Sequence, residues 1–148
     1  MTKLDSQQIE LVGRAALEAE LIRNGYEVAQ PARDRGIDLI AYQDEPDMQF
    51  SAVPIQMKVS SKESFGVYQK YEKFNQLVLV HIWNVLDKPR FFIIPYEETI
   101  QFVPDLDGKS WQENKLYTWT RTPKRIQEQL IKYENNWGVF KEIMRCQH

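Results

Sequence analysis

The chain has 148 residues, 43% hydrophobic and 12% aromatic, which suits one domain with its own core and is too apolar for a disordered chain. A net charge of −2 argues against a partner that is polyanionic over its whole surface, and no apolar run approaches the ~18 residues of a membrane span. The start, MTKLDSQQIE, lacks the basic-then-apolar order of a secretory signal, and the single cysteine, Cys146, excludes an intramolecular disulfide or a cysteine-built zinc site, so a cytoplasmic domain is expected.

In chain order, Asp5 or Ser6 caps a predicted helix running to about Asn24 and stopped by Gly25. On a helical wheel Leu11, Val12, Ala15, Ala16, Ala19 and Ile22 form one apolar face. Leu17 and Leu21 lie on another, so the helix is expected to be covered on more than one side. Tyr26–Gln30 and Ile37–Tyr42 read as strands, Gln43–Asp47 as a turn, and Phe50–Val59 as a third strand. Residues 60–75 are polar and basic with interleaved aromatics, expected as a loop or short helix. Gln76–Trp83 is an unbroken apolar run, the mark of a strand buried on both faces. Arg90–Ile94 is another strand, ended by Pro95.

Tyr96–Phe102 reads as a short helix, and Trp111–Thr120 as a loosely strand-like aromatic segment. Thr122 and Pro123 suit the N-cap and first position of a helix to about Tyr133. Asn135 and Asn136 break it before a last helical stretch, Trp137–Arg145. The order predicts an α/β fold with a mixed sheet of about five strands flanked by helices. Charge is uneven along it. Residues 1–55 carry five basic and ten acidic side chains, residues 56–108 six and seven, and residues 109–148 eight and four. An acidic first part suits a cation site and a basic last part a phosphate-binding surface, though ordinary scatter gives the same counts.

The polar residues inside apolar runs carry the chemistry. Asp38 sits in GIDLIAY, and Gln56 and Lys58 sit two apart in PIQMKVS. Side chains two apart on a strand share a face, so Gln56 and Lys58 project together while Ile55, Met57 and Val59 face the other way. If the second and third strands pair, Asp38 lies beside them. A carboxylate, an amide oxygen and an ammonium on one patch suit a hard divalent cation such as Mg²⁺, which takes few protein oxygens and completes its shell with water and phosphate. Asp38 is then the anionic ligand, Gln56 the neutral one, and the Met57 carbonyl a third. Lys58 can orient or deprotonate a water and stabilise charge building on phosphorus. Alone, each has a plainer reading: Asp38 as a turn cap or partner of Arg33 and Arg35, and Gln56 with Lys58 as a solvated sheet face. Their order along the chain is what joins them.

GRAALEAELIRNGYEV, GIDLIAY and PIQMKVS together resemble the first helix, the metal-binding strand and the (D/E)XK strand of the PD-(D/E)XK, or restriction-endonuclease-like, nuclease superfamily. The Q-x-K form is most similar to group I intron homing endonucleases of that fold. The likeness covers residues 5–95, the expected core of a single domain over 1–148. Residues 96–148 match no pattern and are assigned to DNA contact or oligomerisation. The resemblance implies Mg²⁺-dependent hydrolysis of double-stranded DNA, with Mn²⁺ as a substitute ion, Asp38 and Gln56 in the ligand positions and Lys58 as the catalytic lysine. Two residues depart from the family pattern. Gln56 replaces a carboxylate, and Arg14 stands where the first helix usually offers a glutamate. Glu10, one turn earlier, is the chosen replacement, with Glu18 and Glu20 as other candidates and an exposed helix-start glutamate as the plain alternative.

Candidate DNA contacts are Ser60, Ser61, Lys62, Lys70 and Lys73, with Phe65, Tyr68 and Tyr71 interleaved, and the cluster Arg121, Lys124 and Arg125 at the Thr122-capped helix start. His81 reads as a core or sheet-end histidine. One active centre per chain and little surface for a long site lead to an expected homodimer or homotetramer on a near-palindromic target. A structure-specific junction resolvase or repair nuclease, and a silent nucleic-acid-binding module of the same fold, are the competing readings.

Overall fold

The computed structural model describes residues 2–44 and 49–148; most of the expected Gln43–Asp47 turn lies outside them. Helix α1 spans Ser6–Arg23. Asp5 caps it: its Oδ1 accepts from the Gln8 amide at 2.8 Å, and the Gln8 side chain accepts from the Asp5 amide at 2.9 Å. This reciprocal pair satisfies two otherwise free donors. Gly25, at a φ of +89°, ends the helix as expected.

The buried face of α1 differs from the wheel's wider apolar arc. Gly13, Leu17 and Leu21 face the core, while Leu11 and Ile22 are both 62% exposed. Close approach decides this. A Cβ on Gly13 would stand 2.5 Å from Val59 Cγ1, so the helix settles where its missing side chain meets a strand.

Among the described residues seven strands follow: β1 (Glu27–Ala29), β2 (Leu39–Gln43), β3 (Ser51–Val59), β4 (Phe65–Tyr68), β5 (Val78–Trp83), β6 (Arg90–Pro95) and β7 (Leu116–Trp119). Five form a mixed sheet in the order β1-β2-β3-β5-β6. In this sheet β3 and β5 pair in parallel, and the other neighbouring pairs are antiparallel. The α/β fold and five-stranded mixed sheet therefore stand as read from the sequence. The second sheet was not foreseen. β4 and β7 pair antiparallel, placing a strand inside the segment expected as loop or short helix. Their partnership spans about fifty residues of chain, which no local pattern records.

Short helices α2 (Tyr96–Thr99), α3 (Lys109–Gln112), α4 (Lys124–Leu130) and α5 (Val139–Arg145) complete the fold, with short 3₁₀ turns at Gln69–Lys73, Ile100–Phe102 and Ile131–Tyr133. One face of the large sheet packs on α1 and α5 through Leu17, Leu21, Ile55, Val80 and Phe140. The other packs on the β4–β7 ribbon and the later segments through Phe65, Leu79, Phe92, Trp111 and Leu130. Residues 96–148 thus enter both cores. Among the described residues no helix is long and apolar enough to cross a membrane.

Candidate active site

Asp38 stands immediately before β2. Its amide donates to the Ile55 carbonyl at 2.8 Å and its Oδ2 accepts from the Met57 amide at 2.8 Å. The register Leu39↔Ile55 carries Asp38 opposite Gln56 on the neighbouring strand. Asp38 is buried, and burial raises its pKa above the ordinary carboxylate value. The Met57 amide and the nearby Arg14 guanidinium pull the other way. The pairing of the second and third strands, on which the sequence argument depended, is present.

Gln56 Nε2 donates to the Met57 carbonyl at 3.2 Å, and its Oε1 is buried without a partner. A buried amide oxygen with no donor is costly. Lys58, two residues on, lies with its ammonium 3.8 Å from the centre of the Tyr68 ring and 5.8 Å from that of Tyr71. Burial, and then the Lys70 ammonium, lower its pKa from 10.5 to about 8, against the opposing pull of Asp38 and Glu10. The tyrosine faces offset part of that desolvation by attracting the cation.

His81 pairs with Lys58 in the parallel ladder. It is fully buried, stacks on Phe65 at 4.1 Å, and has Nε2 3.1 Å from the Gly66 carbonyl. Burial first, and then the Lys58 charge, hold its pKa near 3 against the Gly66 hydrogen bond. It is a neutral core residue beneath the site, as the sequence suggested.

Arg14 reaches into the same corner. Its Nη1 donates to the Asp38 carbonyl at 2.9 Å, and its Nη2 lies 3.7 Å from Glu10 Oε1 and 3.9 Å from Asp38 Oδ1. Glu10, about half exposed, is therefore brought to the edge of the site with a guanidinium between it and Asp38. Glu18 accepts from the Gln30 side-chain Nε2 and Glu20 pairs with Arg23.

Among the described residues no three His, Cys, Asp or Glu side chains converge to hold a metal ion. The donors present are one carboxylate, the orphaned Gln56 oxygen and the Met57 carbonyl. That all-oxygen set fits a hard divalent ion which draws its remaining ligands from water and substrate.

The candidate phosphate contacts divide. Ser61, Lys62 and Arg121 line one cleft of about 240 Å³ with Glu63 and Asn84. A second cleft of about 240 Å³ joins Lys58 and Ser60 to Tyr68, Thr118 and Trp119 on the β4–β7 ribbon. Ser60 Oγ accepts from the Lys62 amide at 2.9 Å, so it shapes this loop. Lys70 lies beside the same tyrosines as Lys58. Lys73 packs over Phe74 and lines a different groove with Glu72, Glu97 and Glu98.

Lys124 and Arg125 are exposed on the first turn of α4, but the expected Thr122 cap is absent. Pro123 holds the N-cap position with no side-chain cap. Thr122 is buried, and its hydroxyl donates to the Glu63 carbonyl at 2.8 Å. The Thr122 amide donates to the same carbonyl at 2.9 Å, and the two bonds tie the start of α4 to the loop after Lys58. Trp119 escaped the sequence reading as a site residue. Only the distant β4–β7 pairing brings it there.

No family model and no curated protein matches the chain. Among solved structures it is similar to a bacterial homing endonuclease, I-Ssp6803I, with a TM-score of 0.57 and 15% identity, over 99% of this chain and 97% of that one. The likeness shows a shared fold.

Proposed function

We propose that this chain is a Mg²⁺-dependent endonuclease of the homing type, with a PD-(D/E)XK-like site, that hydrolyses phosphodiester bonds in double-stranded DNA. The observation that carries the reading is one corner of the sheet where buried Asp38, just before β2, stands beside the unpartnered oxygen of Gln56 and the low-pKa Lys58 on the paired strand β3. The shared fold with a bacterial homing endonuclease supports it. A bound Mg²⁺ supplies positive charge against a phosphate oxygen, and Mn²⁺ serves as a substitute.

Asp38, Gln56 and the Met57 carbonyl would hold the ion. Lys58, neutral in roughly a tenth of molecules at pH 7 for a pKa near 8, takes the proton of the attacking water and in its charged form faces the charge gathering on phosphorus. Ser61, Lys62 and Arg121 bind backbone phosphates on one side, with Ser60 shaping their loop and Lys70, Lys124 and Arg125 extending the basic surface. One site per chain implies that a homodimer or homotetramer cuts the two strands.

The test is cleavage of a randomised duplex pool with Mg²⁺ or Mn²⁺, sequencing the ends and using Lys58→Ala as control. Ends at one enriched, near-palindromic sequence, absent in the variant, support the reading. Scattered ends, or cutting only of four-way junctions, replace it with a repair nuclease or resolvase. No ends, with DNA still bound equally by Lys58→Ala, replace it with a silent binding module, the reading that Gln56 and Arg14 favour because each removes negative charge from the ion's surroundings.

A further inference from the structure

Arg14 belongs to neither the hydrolytic chemistry nor the basic surface, yet it is mostly buried at the centre of the acidic corner. Its guanidinium is anchored by the Asp38 carbonyl and shared between two carboxylates. Three cations, Arg14, Lys58 and Lys70, thus stand with three anions, Glu10, Asp34 and Asp38, so the cluster as a whole has no excess negative charge to draw a dication.

Gln56, neutral where an acid would help, adds none. The protein has filled one side of this site with a charge of its own. A guanidinium is permanently charged and its planar fork suits carboxylates, so it leaves only by moving, not by losing a proton.

We infer that Arg14 is a resident cation that occupies the ground between Glu10 and Asp38, keeping divalent-ion binding weak and excluding Glu10 from it until a DNA phosphate restores negative charge. The inference rests on the proposed nuclease reading. An ion at Asp38 Oδ1 is repelled by the guanidinium at 3.9 Å, and a phosphodiester arriving beside Lys58 and Arg14 offsets that repulsion. Linkage then requires that DNA tighten ion binding by the same factor as the ion tightens DNA binding. The ion and its substrate enter together, and the free protein is left nearly unloaded.

The test is direct titration of Mn²⁺ into DNA-free protein, following free Mn²⁺ by paramagnetic resonance. Arg14→Gln removes the charge and releases Glu10, and should tighten Mn²⁺ binding at least about fivefold. Arg14→Lys, which keeps a charge, should stay closer to wild type than Arg14→Gln. Glu10→Gln alone should change affinity less than about fivefold, because Glu10 is held by Arg14, but should lose part of the gain when added to Arg14→Gln.

An Arg14→Gln affinity within that factor of wild type overturns the inference. So does a larger loss in Glu10→Gln alone, an exposed change that decides the matter even if Arg14→Gln does not fold. If either occurs while Lys58-dependent cleavage persists, the nuclease reading stands and the role of Arg14 falls. If no variant binds Mn²⁺ and no DNA is cut, both fall.

Discussion

At the scale of single residues, the site is held in protonation equilibria that the fold itself disfavours. Lys58 bears a pKa near 8 because it is desolvated beside a second ammonium. With the amine as the base, cleavage at low DNA concentration should rise with pH through a midpoint near 8 and level above it. At saturating DNA the midpoint should move above 8, because the bound phosphate stabilises the ammonium. Lys58→Ala should remove this limb and slow cleavage by roughly 10²–10⁴-fold while leaving DNA binding largely intact; unchanged cleavage would remove Lys58 from the mechanism. For Asp38 the raised pKa means that the native state binds a proton more tightly than the unfolded chain. Its ionisation therefore costs stability at neutral pH. Asp38→Asn should raise the thermal midpoint at pH 7 and abolish metal-dependent cutting. A variant that still cuts at the normal rate would refute the metal assignment.

At the scale of elements, the approach of α1 to β3 sets the geometry of the site, because Val59, which meets Gly13, follows Lys58 directly. Gly13→Ala should destabilise the fold by about 1–3 kcal/mol through overpacking of a stiff β-branched side chain. It should also depress cleavage more than DNA binding. Chemical denaturation with a paired cleavage assay would separate the two effects. Strand β5 makes a second prediction. His81 is held neutral, its pKa lowered from 6.5 to about 3, so between those values the unfolded chain binds the extra proton. Stability is then whole above pH 6.5 and declines as pH falls toward 3. His81→Gln, which removes the titration, should flatten that part of the urea-midpoint profile. A profile of unchanged slope would locate the acid sensitivity elsewhere.

At the scale of the whole molecule, α1 leaves Leu11, Val12 and Ile22 exposed. The expectation of more than one copy on DNA remains a proposal at this scale. Sedimentation should detect a dimer or tetramer in complex with the target duplex, and monomer alone, both free and bound, would count against it. The uneven charge of the chain acquires a spatial meaning in part. Glu10 and Asp38 from the acidic segment meet at one corner, while Arg121 from the basic segment joins Lys62 across a neighbouring cleft. Lys73, by contrast, turns toward a groove rich in glutamates, so sequence proximity to basic neighbours was a poor guide to its surroundings.

The sequence alone determined the elements whose causes are local. The Asp5–Gln8 cap, the Gly25 stop and the apolar runs of β3, β5 and β6 follow from near-neighbour hydrogen bonding and burial. The spacing of Asp38, Gln56 and Lys58 made their convergence legible, because period-two alternation and a short strand connection leave little freedom in how they meet. What only the tertiary structure decided depends on groups far apart in the chain. The buried face of α1 was chosen by contact with Val59, and the β4–β7 ribbon by a pairing across about fifty residues. The shifted equilibria of Asp38, Lys58 and His81 arise from desolvation by those same assembled layers. So does the position of Arg14, which the wheel placed near Glu10 but which only the docking of α1 on the sheet could set against Asp38. A sequence lists the charges; which of them share a low-dielectric corner is settled by packing.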